Sequence, residues 1–205
     1  HLESYNYFFK KGLINIFKDK NPLPFFKEKM KNGEFKYQFK MYFGGKNADK
    51  IYYGKPVIYD NNGDEEREHY MYPNEARLRN MTYGLSIHYD VDIEFTLFLE
   101  QGDGTGKHVI EHHNTTIEHI FLGKFAIMLQ SDLCILNGLA PTTRFNMGEC
   151  RNDPGGYFII DGSEKVIVSQ EKFANNMLYI RNKVNDIYSH SAEIRTVSED
   201  ASKPE

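Results

Sequence analysis

Apolar and polar residues alternate along Leu85–Glu100 with hardly a break. Leu85, Ile87, Tyr89, Val91, Ile93, Phe95, Leu97 and Leu99 fall on one side, and Ser86, His88, Asp90, Asp92, Glu94, Thr96 and Glu100 on the other. Successive side chains of an extended chain point to opposite faces, so this pattern predicts a long strand with one buried and one wet face. Phe35, Tyr37, Phe39 and Met41 alternate with Lys36, Gln38 and Lys40, which predicts a second half-buried strand over 34–43. Ile51–Tyr59 reads as a strand interrupted at Gly54 and Pro56. The apolar run Ile117–Leu129, broken at Glu118, His119, Gly123 and Lys124, predicts a central strand bent at Gly123.

The period changes at the N-terminus. Leu2, Tyr5, Phe9, Leu13 and Ile16 recur at spacings of three and four, so they share one face of a helix over 2–18. Asn21-Pro22-Leu23-Pro24 then stops it. Pro73–Arg79 opens a single helical turn, where proline suits the first position. The acidic run Asp60–Glu68, with a turn at Asn61-Asn62-Gly63, reads as a solvated loop, as does Pro141–Pro154. Met177–Val184 and Ser191–Val197 read as the last strands, after a turn at Asn175-Asn176. These elements predict a strand-rich mixed α+β fold with an N-terminal amphipathic helix and a central antiparallel sheet. It forms one domain over 1–197 with a polar tail at 198–205.

Gly155–Glu171, GGYFIIDGSEKVIVSQE, carries the clearest turn chemistry. Asp161-Gly162 supplies the positive φ that a tight hairpin turn demands, between a strand at Tyr157–Ile160 and another at Val166–Val168. Gly155-Gly156 lets the backbone enter at an angle that a side chain forbids. The hairpin sets Lys165, Ser169 and Gln170 beside an apolar strand.

The net charge is −4 over 205 residues, too acidic for a protein whose main task is gripping phosphates unaided. The basic stretch 10–40, with nine lysines against Asp19, Glu28 and Glu34, reads as a solvated face. Cys134 and Cys150 form no paired motif, which suits a reducing compartment, and Cys134 belongs with the core. No apolar stretch approaches the roughly 20 residues of a membrane span, so no membrane partner is expected. The first residue, His1, and the polar last residues give the expectation of a piece cut from something longer.

Three constellations invite chemistry. Asp90, Asp92 and Glu94 share one strand face, which suits either a metal or, more commonly, a wet sheet surface. His108, His112, His113 and His119 have a ligand density compatible with zinc, and hence with a zinc-dependent hydrolase. No cysteine or carboxylate frame accompanies them, so they read as loop histidines. Gly102–His108 lacks the first glycine and the final Ser or Thr of a phosphate loop and reads as a flexible turn. No nucleophile-elbow pattern points to a Ser-His-Asp triad.

The hairpin also resembles that of the protrusion domain in the second-largest subunit of multisubunit DNA-directed RNA polymerases. YPNEARLRNMTY at Tyr72–Tyr83, LGKFAIML at Leu122–Leu129 and HSAEIR at His190–Arg195 resemble further segments of that family, in its order. The likeness covers about 70–197, and in the N-terminal third it is carried by Leu2–Asn6. The eukaryotic and large-DNA-virus branch fits best, through the approach from Cys150 to Gly156. Ala126 stands where proline is usual, and Asp161 where asparagine is usual.

The resemblance implies a cleft-wall element of an enzyme that polymerises ribonucleotides on DNA. Mg2+ would be held mainly by the largest subunit, and this chain alone would be non-catalytic. Implied partners are the largest and other polymerase subunits, the DNA template, the RNA–DNA hybrid and initiation factors. The implied location is the nucleus, or a virion or host cytoplasm for a viral source. Lys165 and Gln170 match positions that lie near the hybrid and line an inhibitor pocket in bacterial relatives. Arg77 and Arg79 match positions near interfaces. Bare residue chemistry leaves Arg77 and Arg79 equally suited to pairing with nearby carboxylates. A self-contained module that stacks single-stranded bases on aromatic strands, or binds protein, is the alternative function.

Overall fold

The computed structural model describes residues 1–29, 35–62, 65–100, 108–182 and 185–198. It forms two compact units, His1–Ile167 and Val168–Glu205.

The first unit opens with α1 (Leu2–Tyr7), a π-helical turn at Phe8–Gly12 and α2 (Leu13–Lys20). Phe9, Leu13 and Phe17 are its buried residues, whereas Ile16, expected on that face, is 49% exposed. The π turn explains the difference. Its wider winding shifts the helix phase, so a strict spacing of four replaces the mixed three-and-four spacing. The Tyr5 hydroxyl donates to the Ala126 carbonyl at 2.8 Å, and burial pushes its pKa up to about 12.

The alternating segment is β6 (Gly84–Glu100), and it forms the sheet's centre. β2 (Phe35–Phe43) and β3 (Ile51–Tyr53) lie end to end along one of its edges, and β1 (Leu23–Lys29) pairs beyond β2. β7 (His108–Ala126) runs antiparallel along the other edge. Among the described residues β7 pairs with β6 alone, so the strand expected at the centre is an edge strand. The apolar run marks neither burial nor two backbone neighbours here, since Ile117 is 49% and Phe121 60% exposed. Two register shifts, near Leu122 and Glu118-His119, bend β7 beside the expected Gly123. The histidines placed in a loop by sequence therefore lie on a strand. The expected turn at Gly102–Lys107 lies outside the described residues.

The acidic stretch read as a loop is instead a hairpin, β4 (Val57–Asn62) with β5 (Glu65–Tyr70), paired from Val57↔Tyr70 to Asn62↔Glu65. Its expected turn residue Gly63 lies outside the described residues. β5 is strongly charged, which hides its strand character, but Ile58 and the following Met71 are each only 3% exposed and tie the hairpin down. Pro73–Leu78 forms α3, as expected. Pro141–Asn146, read as loop, forms the short α4 with proline in its first turn. Phe9, Leu13, Tyr83, Leu85, Ile87, Ile127, Leu129, Cys134, Leu136 and Ile159 belong to one core. Burial pushes the Tyr83 hydroxyl pKa strongly up. That hydroxyl donates to Cys134 Sγ at 3.6 Å and accepts from the Ile135 N–H at 3.0 Å.

The second unit is a hairpin of β10 (Leu178–Asn182) and β11 (His190–Ile194), shorter than the strands expected at 177–184 and 191–197. Residues 183 and 184 lie outside the described residues, as does most of the expected polar tail. Asn176 closes the base of the hairpin, where its side chain bonds both the N–H and the carbonyl of Val197, at 2.8 and 3.0 Å.

Candidate nucleic-acid interface

The hairpin at Gly155–Lys165 forms with the expected turn but a different second strand. β8 (Phe158–Ile160) pairs with β9 (Ser163–Lys165) across Asp161-Gly162, with φ of 49° and 75°. A two-residue turn with both φ positive matches the strand twist and so closes the hairpin directly. Val166–Val168, expected as the second strand, pairs with nothing among the described residues, and its side chains are 57–82% exposed. Gln170 therefore closes no strand. It lies in the second unit, exposed.

Two glycines fit as the turn chemistry requires. A Cβ on Gly155 would stand 2.4 Å from the Leu129 carbonyl, and one on Gly162 only 2.9 Å from Asn80 Cα and 3.0 Å from the Arg77 carbonyl. Thr82 Oγ1 donates to Asp161 Oδ1 and accepts from the Asp161 N–H, both at 3.1 Å, so the aspartate serves the turn. The hairpin is thus seated against the end of α3.

Arg77, on α3, holds that seat. Its Nη1 donates to Glu149 at 2.8 Å, its Nη2 to the Tyr157 hydroxyl at 2.8 Å, and its Nε to Glu164 at 2.9 Å. The Tyr157 hydroxyl donates in turn to Asp153 at 2.5 Å, and Asp153 also accepts from the Gly155 N–H at 2.8 Å. Burial, followed by that bond to Asp153, drives the Tyr157 hydroxyl pKa upward. The Glu149 side chain is 3% exposed and that of Arg77 19%. Burial disfavours the charge on Arg77, but its carboxylate partners outweigh it and raise its pKa. Arg77 thus spends its donors internally. Its partners lie 72–87 residues away in sequence, and no local pattern marks Glu149, Tyr157 or Glu164 as its acceptors.

Arg79 bonds Glu75 at 3.0 Å, where His69 also reaches the carboxylate at 3.1 Å. Partial burial raises the Glu75 pKa, but these two partners outweigh it and leave it low. Lys165 is exposed, and it has no ion pair among the described residues. Its sequence neighbour Glu164 is taken by Arg77.

The carboxylates of β6 are also committed. Asp90 accepts from the Tyr52 hydroxyl and the His119 N–H, each at 2.9 Å. Asp92 takes Lys50 at 2.7 Å and Thr116 at 2.8 Å. Glu94 takes Lys46 and, at 3.2 Å, the Tyr42 hydroxyl. His112 meets Thr96 at 3.3 Å and His113 meets Glu111 at 3.4 Å. Among the described residues, no three His, Cys, Asp or Glu side chains gather as a metal-binding group. The aromatic strands stack on one another, Phe25 on Phe39 at 4.8 Å and Phe39 against Phe95 at 5.5 Å.

The sequence profile of the RNA polymerase beta subunit family matches residues 1–200. The chain belongs to that family. It is 39% identical over 155 residues to DNA-directed RNA polymerase II subunit RPB2 of Encephalitozoon cuniculi, covering 75% of this chain and 12% of the relative. It is 35% identical over 160 residues to the RPB2 subunit of Schizosaccharomyces pombe, covering 77% and 13%. The similarity to DNA-directed RNA polymerase III subunit RPC2 of Schizosaccharomyces pombe is 34% over 180 residues, covering 88% and 13%. The chain thus spans 12–13% of the length of these relatives and corresponds to part of a second-largest polymerase subunit.

Proposed function

We propose that this chain forms the protrusion, one wall of the active-centre cleft, in a DNA-directed RNA polymerase. The family match over residues 1–200 carries the reading. The complete enzyme would be a nucleotidyltransferase that builds RNA on a DNA template, with Mg2+ held mainly by its largest subunit. No residue of this chain takes a catalytic role. With Mg2+ alone the chain is expected to be inert, because phosphoryl transfer depends on positioned metal ions. Its partners are the other polymerase subunits, the template, the RNA–DNA hybrid and initiation factors. It works inside the cell, in the nucleus of a cellular source or in the virion or host cytoplasm of a viral one.

Lys165 supplies positive potential toward the phosphate backbone, Gln170 a neutral polar contact, and Arg79 a flanking charge. The support for Lys165 is its exposure without a carboxylate partner. Arg77 contributes from behind the hairpin. The test is a photocrosslinking residue placed at 165, 170 or 79 in the complete polymerase, stalled on a labelled DNA–RNA scaffold. Crosslinks from 165 are expected. If none form at any of the three positions, while the isolated chain binds single-stranded nucleic acid in a salt-dependent way, the self-contained binding module is the better reading.

A further inference from the structure

The three-residue strand β9 is short for the task of aiming a charged side chain. Alternation sends Ser163 and Lys165 to one face and Glu164 to the other, beside the buried Ile159 with which it pairs. Among the described residues, Glu164 is the one β9 side chain with a hydrogen bond or ion pair, and its partner is Arg77 Nε at 2.9 Å. That bond is surplus to neutralising Arg77. Glu149, with a side chain 3% exposed, already matches the guanidinium at 2.8 Å, whereas Glu164 is 57% exposed. The bond's remaining effect is directional. Arg77 is itself fixed from two further sides, by Glu149 and by the Tyr157 hydroxyl, so it offers β9 a rigid anchor.

We propose that Glu164, through its bond to Arg77, is a positioning residue that aims Lys165 at the phosphate backbone of the bound nucleic acid. The inference rests on the nucleic-acid-facing reading of Lys165. It also carries a counterintuitive sign. A carboxylate beside nucleic acid repels it, so electrostatics alone makes its removal strengthen binding. The latch makes its removal weaken binding.

The test uses the complete polymerase with Lys165→Ala, Glu164→Ala, Glu164→Gln or the double alanine change in this subunit. Elongation-complex lifetime is measured across a salt series. Losing one phosphate contact flattens the salt slope by about one unit, so the lifetime ratio between about 50 and 200 mM salt shrinks three- to fourfold. Lys165→Ala and Glu164→Ala are both expected to do this, and the double change to do no more than either. Glu164→Gln, which keeps an oxygen facing Nε, is expected to retain most of the wild-type ratio.

A wild-type ratio in Glu164→Ala beside a reduced one in Lys165→Ala overturns the latch and leaves the reading of Lys165 standing. A wild-type ratio in Lys165→Ala overturns both. Longer lifetimes in Glu164→Ala and Glu164→Gln alike reduce Glu164 to simple repulsion. A further loss in the double change shows that it acts elsewhere, and likewise overturns the proposal.

Discussion

Replacing Arg77 by methionine keeps a side chain of similar length but removes the three guanidinium hydrogen bonds from the hairpin's seat. The Glu149 carboxylate then stands 3% exposed with its cation gone. Stranding one partner of a buried ion pair costs about 3–5 kcal/mol, because the survivor keeps its desolvation penalty without compensation. Loss of the Glu164 contact adds about 0–1 kcal/mol, since that carboxylate is 57% exposed and water-screened. Tyr157 retains Asp153 at 2.5 Å, so its hydroxyl is not orphaned and adds little. The expected total is about 3–6 kcal/mol, a large share of the roughly 5–15 kcal/mol that holds a domain folded. Urea unfolding of wild type and variant at neutral pH measures it. One control isolates the cause. Arg77→Met with Glu149→Leu removes both charges and should recover all but about 1 kcal/mol, since an apolar pair replaces an ionic one nearly neutrally. A cost below about 1 kcal/mol, or a double variant no more stable than the single, refutes the stranded-charge account.

Gly162→Ala should destabilise by about 2–4 kcal/mol, combining a left-handed φ with backbone atoms about 3 Å from the new Cβ. A urea midpoint unchanged from wild type would show that the turn relaxes freely. Tyr83→Phe leaves the partly buried Ile135 N–H without its acceptor and should cost about 1–3 kcal/mol by the same measurement; a neutral change would mean that another acceptor takes over. Lys46 and Tyr42 hold the Glu94 carboxyl below its ordinary pKa, and Lys50 and Thr116 do so for Asp92 against an opposing push from burial. Both carboxylates bind protons more readily when unfolded, so the stability they contribute is complete above ordinary carboxylate values and is lost as pH falls through their lowered ones. Unfolding midpoints should therefore drop below about pH 4, less steeply in Lys50→Met, and parallel profiles for the two proteins would contradict the pairing.

What sequence reading reached in this fold was whatever depends on near neighbours. β6 is plain because its apolar and polar residues alternate, and the Asp161-Gly162 turn because it requires particular residues at particular φ. Strand order is another matter. β6 and the apolar end of β7 both read as buried strands, yet β6 has neighbours on both edges and β7, among the described residues, on one, with Ile117 49% and Phe121 60% exposed. Backbone pairing leaves no mark on side-chain pattern. The hairpin's second strand shows the same limit from the opposite direction. Ser163-Glu164-Lys165 looks like a turn because nothing in it is apolar, and it becomes a strand through backbone pairing and through an anchor on Arg77, 87 residues away. Val166-Ile167-Val168 looks like a strand because it is apolar, and it stands 57–82% exposed. Hydrophobic pattern records what the side chains are selected to meet, and a chain spanning 12–13% of its relatives' length includes only part of that. The arginine seat combines both difficulties. Arg77 lies in a helical turn that local rules predict, while its three acceptors are brought together only when the loop before Gly155, β8 and β9 converge on that turn. A residue's candidacy is therefore legible from its type and its element, but whether it spends its charge inward, as Arg77 does, or leaves it outward, as Lys165 does, is settled by which distant carboxylates the fold brings within reach.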